Sequence, residues 1–429
     1  MQPTQKTHWP SVLQVALSGL MLILLLPSAA GLLVVSAMGG LAQGASGQEV
    51  ISLVHLAWMA ALGAALQAPA LVFGLARLLN WPLAQKERNP RRWLLLALAA
   101  WPLALAAGYG VNQLPGLSLV LLPPLQIAVV ALPLAAFVLL GQMGLPRLTR
   151  QQNWGTVSFS LAITPLVTIA AEGVVGGLLL VALVVWLTSN PEAMEQIYRA
   201  GQRLSNAQMD PEALSRIIAP FLKNPQIIIG ALTFTAGLVP LLEELFKPLA
   251  LWLLAGKRLT PAQGFSGGLL AGAMFALFES LGMLASAAGA QDWLTLVIGR
   301  TGTGLLHVVT TGLVGWGLAS AWQAGRYLRL GLAYLCAVLL HGIWNLFGIL
   351  MGLLPVGGAV DLPQNLQGLT RLSQVAPLAL GVLFLVLFSI LLRGASLLRQ
   401  EGNPIRIDIS NHERVDPTQA KGVSTQGRE

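Results

Sequence analysis

The residues able to do chemistry in this chain fall into four short groups. Glu243-Glu244-x-x-Lys247 places a lysine four and three residues after two adjacent carboxylates. A helix brings an ammonium to a carboxylate at either spacing. Phe275 and Glu279 lie one turn apart, Arg300 and His307 two turns apart, and His341 and Asn345 one turn apart. Thr303, Thr310 and Thr311 accompany His307. With neutral histidines, Glu243, Glu244 and Glu279 oppose only Lys247 and Arg300, so one carboxylate has no cation of its own. Such a group is placed to take a proton from water. Two imidazoles and an asparagine amide could polarise a carbonyl or stabilise an oxyanion.

All four groups lie in apolar runs. The 429-residue chain is 55% hydrophobic and only 10% charged, whereas soluble domains carry roughly 25% charged residues. Runs near the ~20 residues needed to cross a bilayer extend over Ser11–Ala37, Ile51–Leu79, Trp93–Val111, Leu117–Gly141 and Gly155–Leu187. Ile227–Leu254, Gly264–Ser286, Val297–Trp322, Gly331–Leu354 and Ala376–Leu392 follow. The expected fold is an all-α polytopic bundle of about ten spanning helices. An ionisable residue at mid-bilayer costs about 2.5–3.5 kcal/mol on insertion scales, so each one needs a reason. The first five runs contain little besides His55, Arg77 and Glu172; Glu172 either faces the cluster or pairs with some other group, with the structural reading preferred. The sixth to ninth contain all four groups. The bland alternative, unrelated structural pairs, does not account for so many in consecutive helices.

The net charge of +8 does not point to nucleic acid. Lys86, Arg88, Arg91, Arg92, Arg147, Arg150, Lys257, Arg258, Arg326 and Arg329 sit in alternate loops, while the opposite loops near Gly44, Pro115 and Ala290 carry no Lys or Arg. The positive-inside rule puts both termini in the cytoplasm and the chain in the cell membrane. The first run is too long for a signal-peptide core and reads as an uncleaved anchor. The sequence divides into helices one to five (1–188), an outer amphipathic loop (189–226), a core of helices six to nine (227–354), a loop with the tenth helix (355–399) and a disordered tail (400–429). In the loop, Asn190-Pro191 and Asp210-Pro211 read as helix starts. Gly264, Gly268 and Gly272 form a close-packing helix face. Cys336, the single cysteine, excludes a disulfide framework.

Several routes to intramembrane hydrolysis are excluded. No H-E-x-x-H is present, and every Asp lies in a loop or the tail. Gly264-Phe265-Ser266-Gly267 matches a serine-protease G-x-S-G, but Ser266 lies far in depth from His307 and His341. The remaining pattern resembles the PrsW family of glutamic-type intramembrane proteases, and more distantly the CAAX- and bacteriocin-processing endopeptidases. The matching elements are Glu243-Glu244-x-x-Lys247, Phe275-x-x-x-Glu279, Arg300 with His307-x-x-x-Thr311-Gly312-x-x-Gly315, and His341-x-x-x-Asn345. They cover about Leu238–Phe347. The family often has Asn after the helix-seven glutamate, where this chain has Ser280.

The resemblance implies hydrolysis of a peptide bond in a membrane-anchored protein such as a regulator. It implies Glu243 or Glu244 as base, Lys247 and Arg300 as charge compensation, and Glu279 in the catalytic set. It implies His307, His341 and Asn345 as oxyanion stabilisers. Some descriptions of the family make it a metalloprotease; Glu244, His307 and His341 could then hold Zn²⁺ with an open fourth position. The lack of a close-spaced ligand pair favours the metal-free reading. A proton-coupled transporter or channel, and a catalytically silent scaffold, are the competing functions.

Overall fold

The apolar runs become helices because lipid leaves backbone groups no other partner. The computed structural model describes residues 8–41, 47–82, 89–206, 224–254, 259–284, 290–352 and 367–402. Among these there is no strand, and ten stretches are long and apolar enough to cross a membrane. They coincide with the ten expected runs to within a few residues at most ends.

The N-terminal half contains α1 (Trp9–Leu41), α2 (Gly47–Leu78), α3 (Pro90–Asn112) and α4 (Pro115–Gln142). The fifth run, expected as one helix, is broken into α5 (Arg150–Ala162) and α6 (Thr164–Thr188). Pro165 is the cause, since it cannot donate to the preceding turn and disfavours helical geometry just before it. Helix starts follow their caps. Asn89 accepts from the Arg91 amide ahead of α3, and Thr149 and Gln152 form a capping box at α5. The helix expected after Asn190 is α7 (Pro191–Asn206). The helix expected after Asp210, and the tail from residue 403, lie outside the described residues.

The sixth crossing is interrupted twice. It runs as α8 (Pro225–Leu232), a π-helical turn (Thr233–Leu238), α9 (Val239–Phe246) and α10 (Leu249–Trp252). Then come α11 (Pro261–Leu284), α12 (Ala290–Ala324), α13 (Tyr327–Gly352) and α14 (Gln367–Gly402).

Two of these helices form the centre. The spanning windows of α11 and α12 are 67% and 89% buried, whereas those of α1, α3 and α6 are 11%, 17% and 6% buried. The outer helices expose leucine and valine to lipid. The glycine face of α11 meets α12 at backbone contact: a Cβ at Gly264, Gly268 or Gly272 would press into the carbonyl of Gly315, Thr311 or His307. The N-terminal helices clamp this pair from one side. His55 on α2 hydrogen-bonds Gln126 on α4 and meets the Leu281 carbonyl of α11 at 2.9 Å. Gln126 and Gln142 donate to the Leu284 and Ser266 carbonyls. Trp293 of α12 packs against Gly108 of α3, where any side chain would collide with it.

Candidate active site

The broken sixth crossing aims the glutamate pair. Pro240 has no N–H, so the Ala236 carbonyl one turn earlier loses its helical donor. The turn before it widens: Val239 N–H reaches back to the Phe234 carbonyl rather than to Thr235. π turns of this kind are frequent at functional sites. The freed carbonyls face α13. Asn345 Nδ2 donates to the Thr235 carbonyl at 2.9 Å, and the Ala236 carbonyl presses against Gly342, where a Cβ would not fit. Tyr334 Oη donates to the Leu241 carbonyl at 2.8 Å. Three ties from α13 thus fix the start of α9.

Lys247 is the hub. Its side chain is fully buried. Nζ lies 2.7 Å from Glu244 Oε1, 2.9 Å from Glu243 Oε2, 2.7 Å from His307 Nδ1 and 3.4 Å from His341 Nδ1. It also stands 4.9 Å from the Phe275 ring centroid, a favourable place for a cation. An ammonium has three hydrogens. The two carboxylates and His307 are its nearest partners, although the Glu243 contact is an ion pair without hydrogen-bond alignment.

The two glutamates have different roles in this geometry. Glu244 is wholly buried, and its Oε1 receives Lys247, Thr310 at 3.1 Å and His341 Nδ1 at 2.8 Å. The Oε2 atoms of both glutamates have no hydrogen-bond partner, but only Glu243 reaches the edge of the cluster, at 7% exposure. His341 Nε2 faces Glu243 Oε2 across 3.8 Å.

A second chain of contacts runs from His307 outward. Its Nε2 meets Glu279 Oε2 at 2.8 Å. Arg300 grips the same carboxylate with both Nη atoms, at 3.2 and 2.6 Å, and its Nε donates to Ser280 Oγ at 3.0 Å. Ser280, the departure from the family pattern, is therefore a direct partner of Arg300. Because Lys247 donates to His307 Nδ1, the ring proton sits on Nε2, toward Glu279. The imidazole is packed edge-on between Phe275 and His341, with centroids at 5.4 and 5.2 Å. Glu279 is the open side of the cluster, its side chain 32% exposed.

Seven of the eight residues expected from sequence thus join one network. Asn345 lies beside it, with its amide committed to the backbone. Glu172 lies on α6, which packs against α9, and its Oε1 is buried without a hydrogen-bond partner. Thr310, noted beside His307 in the sequence, donates to Glu244, and Tyr334 is a partner that no motif singled out.

A metal can be tested against these donors. One ligand atom each from Glu243, His307 and His341 lies within 4.8 Å of the others. The geometry selects Glu243, not Glu244, as the carboxylate beside the imidazoles, because Glu244 backs His341. Carboxylates behind both histidines, Glu279 and Glu244, resemble the outer shell of metal-ligating imidazoles. However, Lys247 Nζ already holds the shared position, 2.7 Å from the only lone pair of His307 that Glu279 leaves free. The residues as arranged do not fit a metal ion.

Comparison with known families places this core. Residues 212–366 match the family described as PrsW family intramembrane metalloprotease. No curated protein and no solved structure matches the chain. The matched segment contains all four residue groups and omits the first five crossings.

Proposed function

Through residues 212–366 this chain is a member of the PrsW family and an intramembrane endopeptidase, and from that premise we propose a metal-free hydrolysis with Glu243 as base. The substrate is a membrane-anchored protein, entering on the open Glu279 side. Loop charge argues for the cell membrane, with both termini cytoplasmic.

The observation that carries the reading is the unequal pair. Each glutamate leaves its Oε2 without a hydrogen bond, but Glu244 is wholly buried with three donors on its Oε1, whereas Glu243 lies at the edge of the cluster, its Oε2 ion-paired with Lys247 and opposite His341 Nε2. A water held there gives a proton to Glu243, and its oxygen attacks the scissile carbonyl. His341, whose ring proton is on Nδ1, accepts the water's other hydrogen at Nε2, and the buried Lys247 ammonium stabilises the developing oxyanion strongly in a low-dielectric site. The proton on Glu243 then passes to the leaving amine. Glu244, Thr310 and His307 hold Lys247 and His341 in place, while Glu279 and Arg300 fix His307. Asn345 and the proline-broken turn keep α9 in register.

The test is N-terminal profiling by mass spectrometry of membranes from cells expressing the native protein or Glu243→Gln. New N-termini in or near single-pass segments, present only with the native protein, are expected. Identical profiles contradict the reading.

A further inference from the structure

The family description carries the prefix "metallo", while the site centres on an ammonium. We propose that Lys247 is the site's resident cation: it excludes a divalent metal from Glu243, His307 and His341, and its removal converts the same donors into a zinc site.

The argument starts with lone pairs. A neutral imidazole has one. His307 offers it from Nδ1, and Lys247 Nζ sits on it at 2.7 Å, while Nε2 carries its proton toward Glu279. No lone pair remains for a metal while the ammonium stays. Glu243 Oε2 likewise faces Nζ at 2.9 Å. A divalent ion bonded to these atoms at the usual ~2.0–2.2 Å would also have to sit against a like charge in a buried site. Electrostatic repulsion there is weakly screened.

Without the ammonium, each reason reverses. His307 Nδ1 regains its lone pair. His341 holds its proton on Nδ1, toward Glu244, and presents Nε2 at 3.8 Å from Glu243 Oε2. Both far nitrogens already face carboxylates, the arrangement that orients metal-bound histidines. Two buried carboxylates lose their cation, so a divalent ion also restores charge balance. Two histidines and one glutamate form a zinc set with an open position. Lys247 arises from a helix interrupted at Pro248, where its backbone N–H bonds Glu243 and α10 begins two residues later. The ammonium's position is thus fixed by the backbone at that break as well as by its partners.

The experiment uses purified full-length protein in detergent, stripped with chelator and then offered zinc or cobalt alone. Metal content after desalting, and the visible absorption of cobalt, are read for native protein, Lys247→Ala, Lys247→Met and Lys247→Ala with His341→Ala. The native protein is expected to retain no stoichiometric metal. Each single variant is expected to hold one ion per chain with a four-coordinate cobalt spectrum, and the double variant to lose it. If a single variant folds only with zinc present, that dependence supports the proposal. One zinc per native chain, abolished by His341→Ala, overturns it, whatever the variants do. Folded Lys247→Ala and Lys247→Met that both bind no more metal than native protein overturn it too.

Discussion

His55 and His307 are equally buried, at 2% and 1% exposure, yet they belong to different kinds of polar region. Around His55 every partner is neutral: a glutamine amide and backbone carbonyls that join α2 and α4 to the end of α11. Around His307 three glutamates, a lysine and an arginine form one network of ion pairs, and one oxygen each of Glu243 and Glu244 has no hydrogen bond. The first region resembles the inter-helix glue common in membrane bundles. The second is costly to bury and incompletely compensated, the pattern of a site held ready for a reactant. Burial of a histidine alone would not have separated the two; the charges around it do.

The comparison can be broken by changing one region and reading both stability and turnover. The largest effect is expected at Glu243→Gln. The variant should stay folded, since an isosteric amide replaces a group near the edge, and cleavage should fall ~10²–10⁴-fold, the usual contribution of a positioned general base. Lys247→Met should cost about 3–5 kcal/mol of stability in metal-free detergent, because it leaves two buried carboxylates unpaired. Chemical unfolding measures it, and a loss under ~1 kcal/mol would mean the cluster is already solvated. Gly272→Ala should cost roughly 1–3 kcal/mol through overpacking. Its methyl pushes on the His307 carbonyl, so turnover should drop along with stability. His55→Ala should cost about 1–3 kcal/mol by leaving buried partners unsatisfied, with cleavage per folded molecule unchanged. Equal loss of turnover in His55→Ala and His307→Ala would erase the distinction between the regions.

Much of this was legible in the sequence for physical reasons. Ten crossings follow from hydropathy because lipid enforces helices. The four residue groups could be read because intramembrane charge is rare, and the glycine face because small residues repeat along it. Position along one helix does not reveal which neighbouring helix a side chain meets. Glu243 and Glu244 are adjacent and point about 100° apart, so only tertiary packing decides which faces the imidazoles and which supports one from behind. That is why the carboxylate expected to join a metal set was Glu244 and the one found beside the histidines is Glu243. Pro240 signalled a broken helix, but not that Asn345 would bond the freed Thr235 carbonyl. Pro165 was a visible break in a run read as continuous. Glu172 stands alone in its segment, and nothing local could tell that α6 packs against α9. The clamp of α2, α3 and α4 on α11 and α12 matched no motif because it uses neutral side chains, a glycine and backbone carbonyls.

The most direct test of the central claim compares two purified proteins, Glu243→Gln and His55→Ala, co-reconstituted with a substrate found by N-terminal profiling. Turnover per folded molecule is the readout. The account predicts near-native cleavage by His55→Ala and at least a ~100-fold loss in Glu243→Gln. Native-like cleavage by folded Glu243→Gln would contradict it.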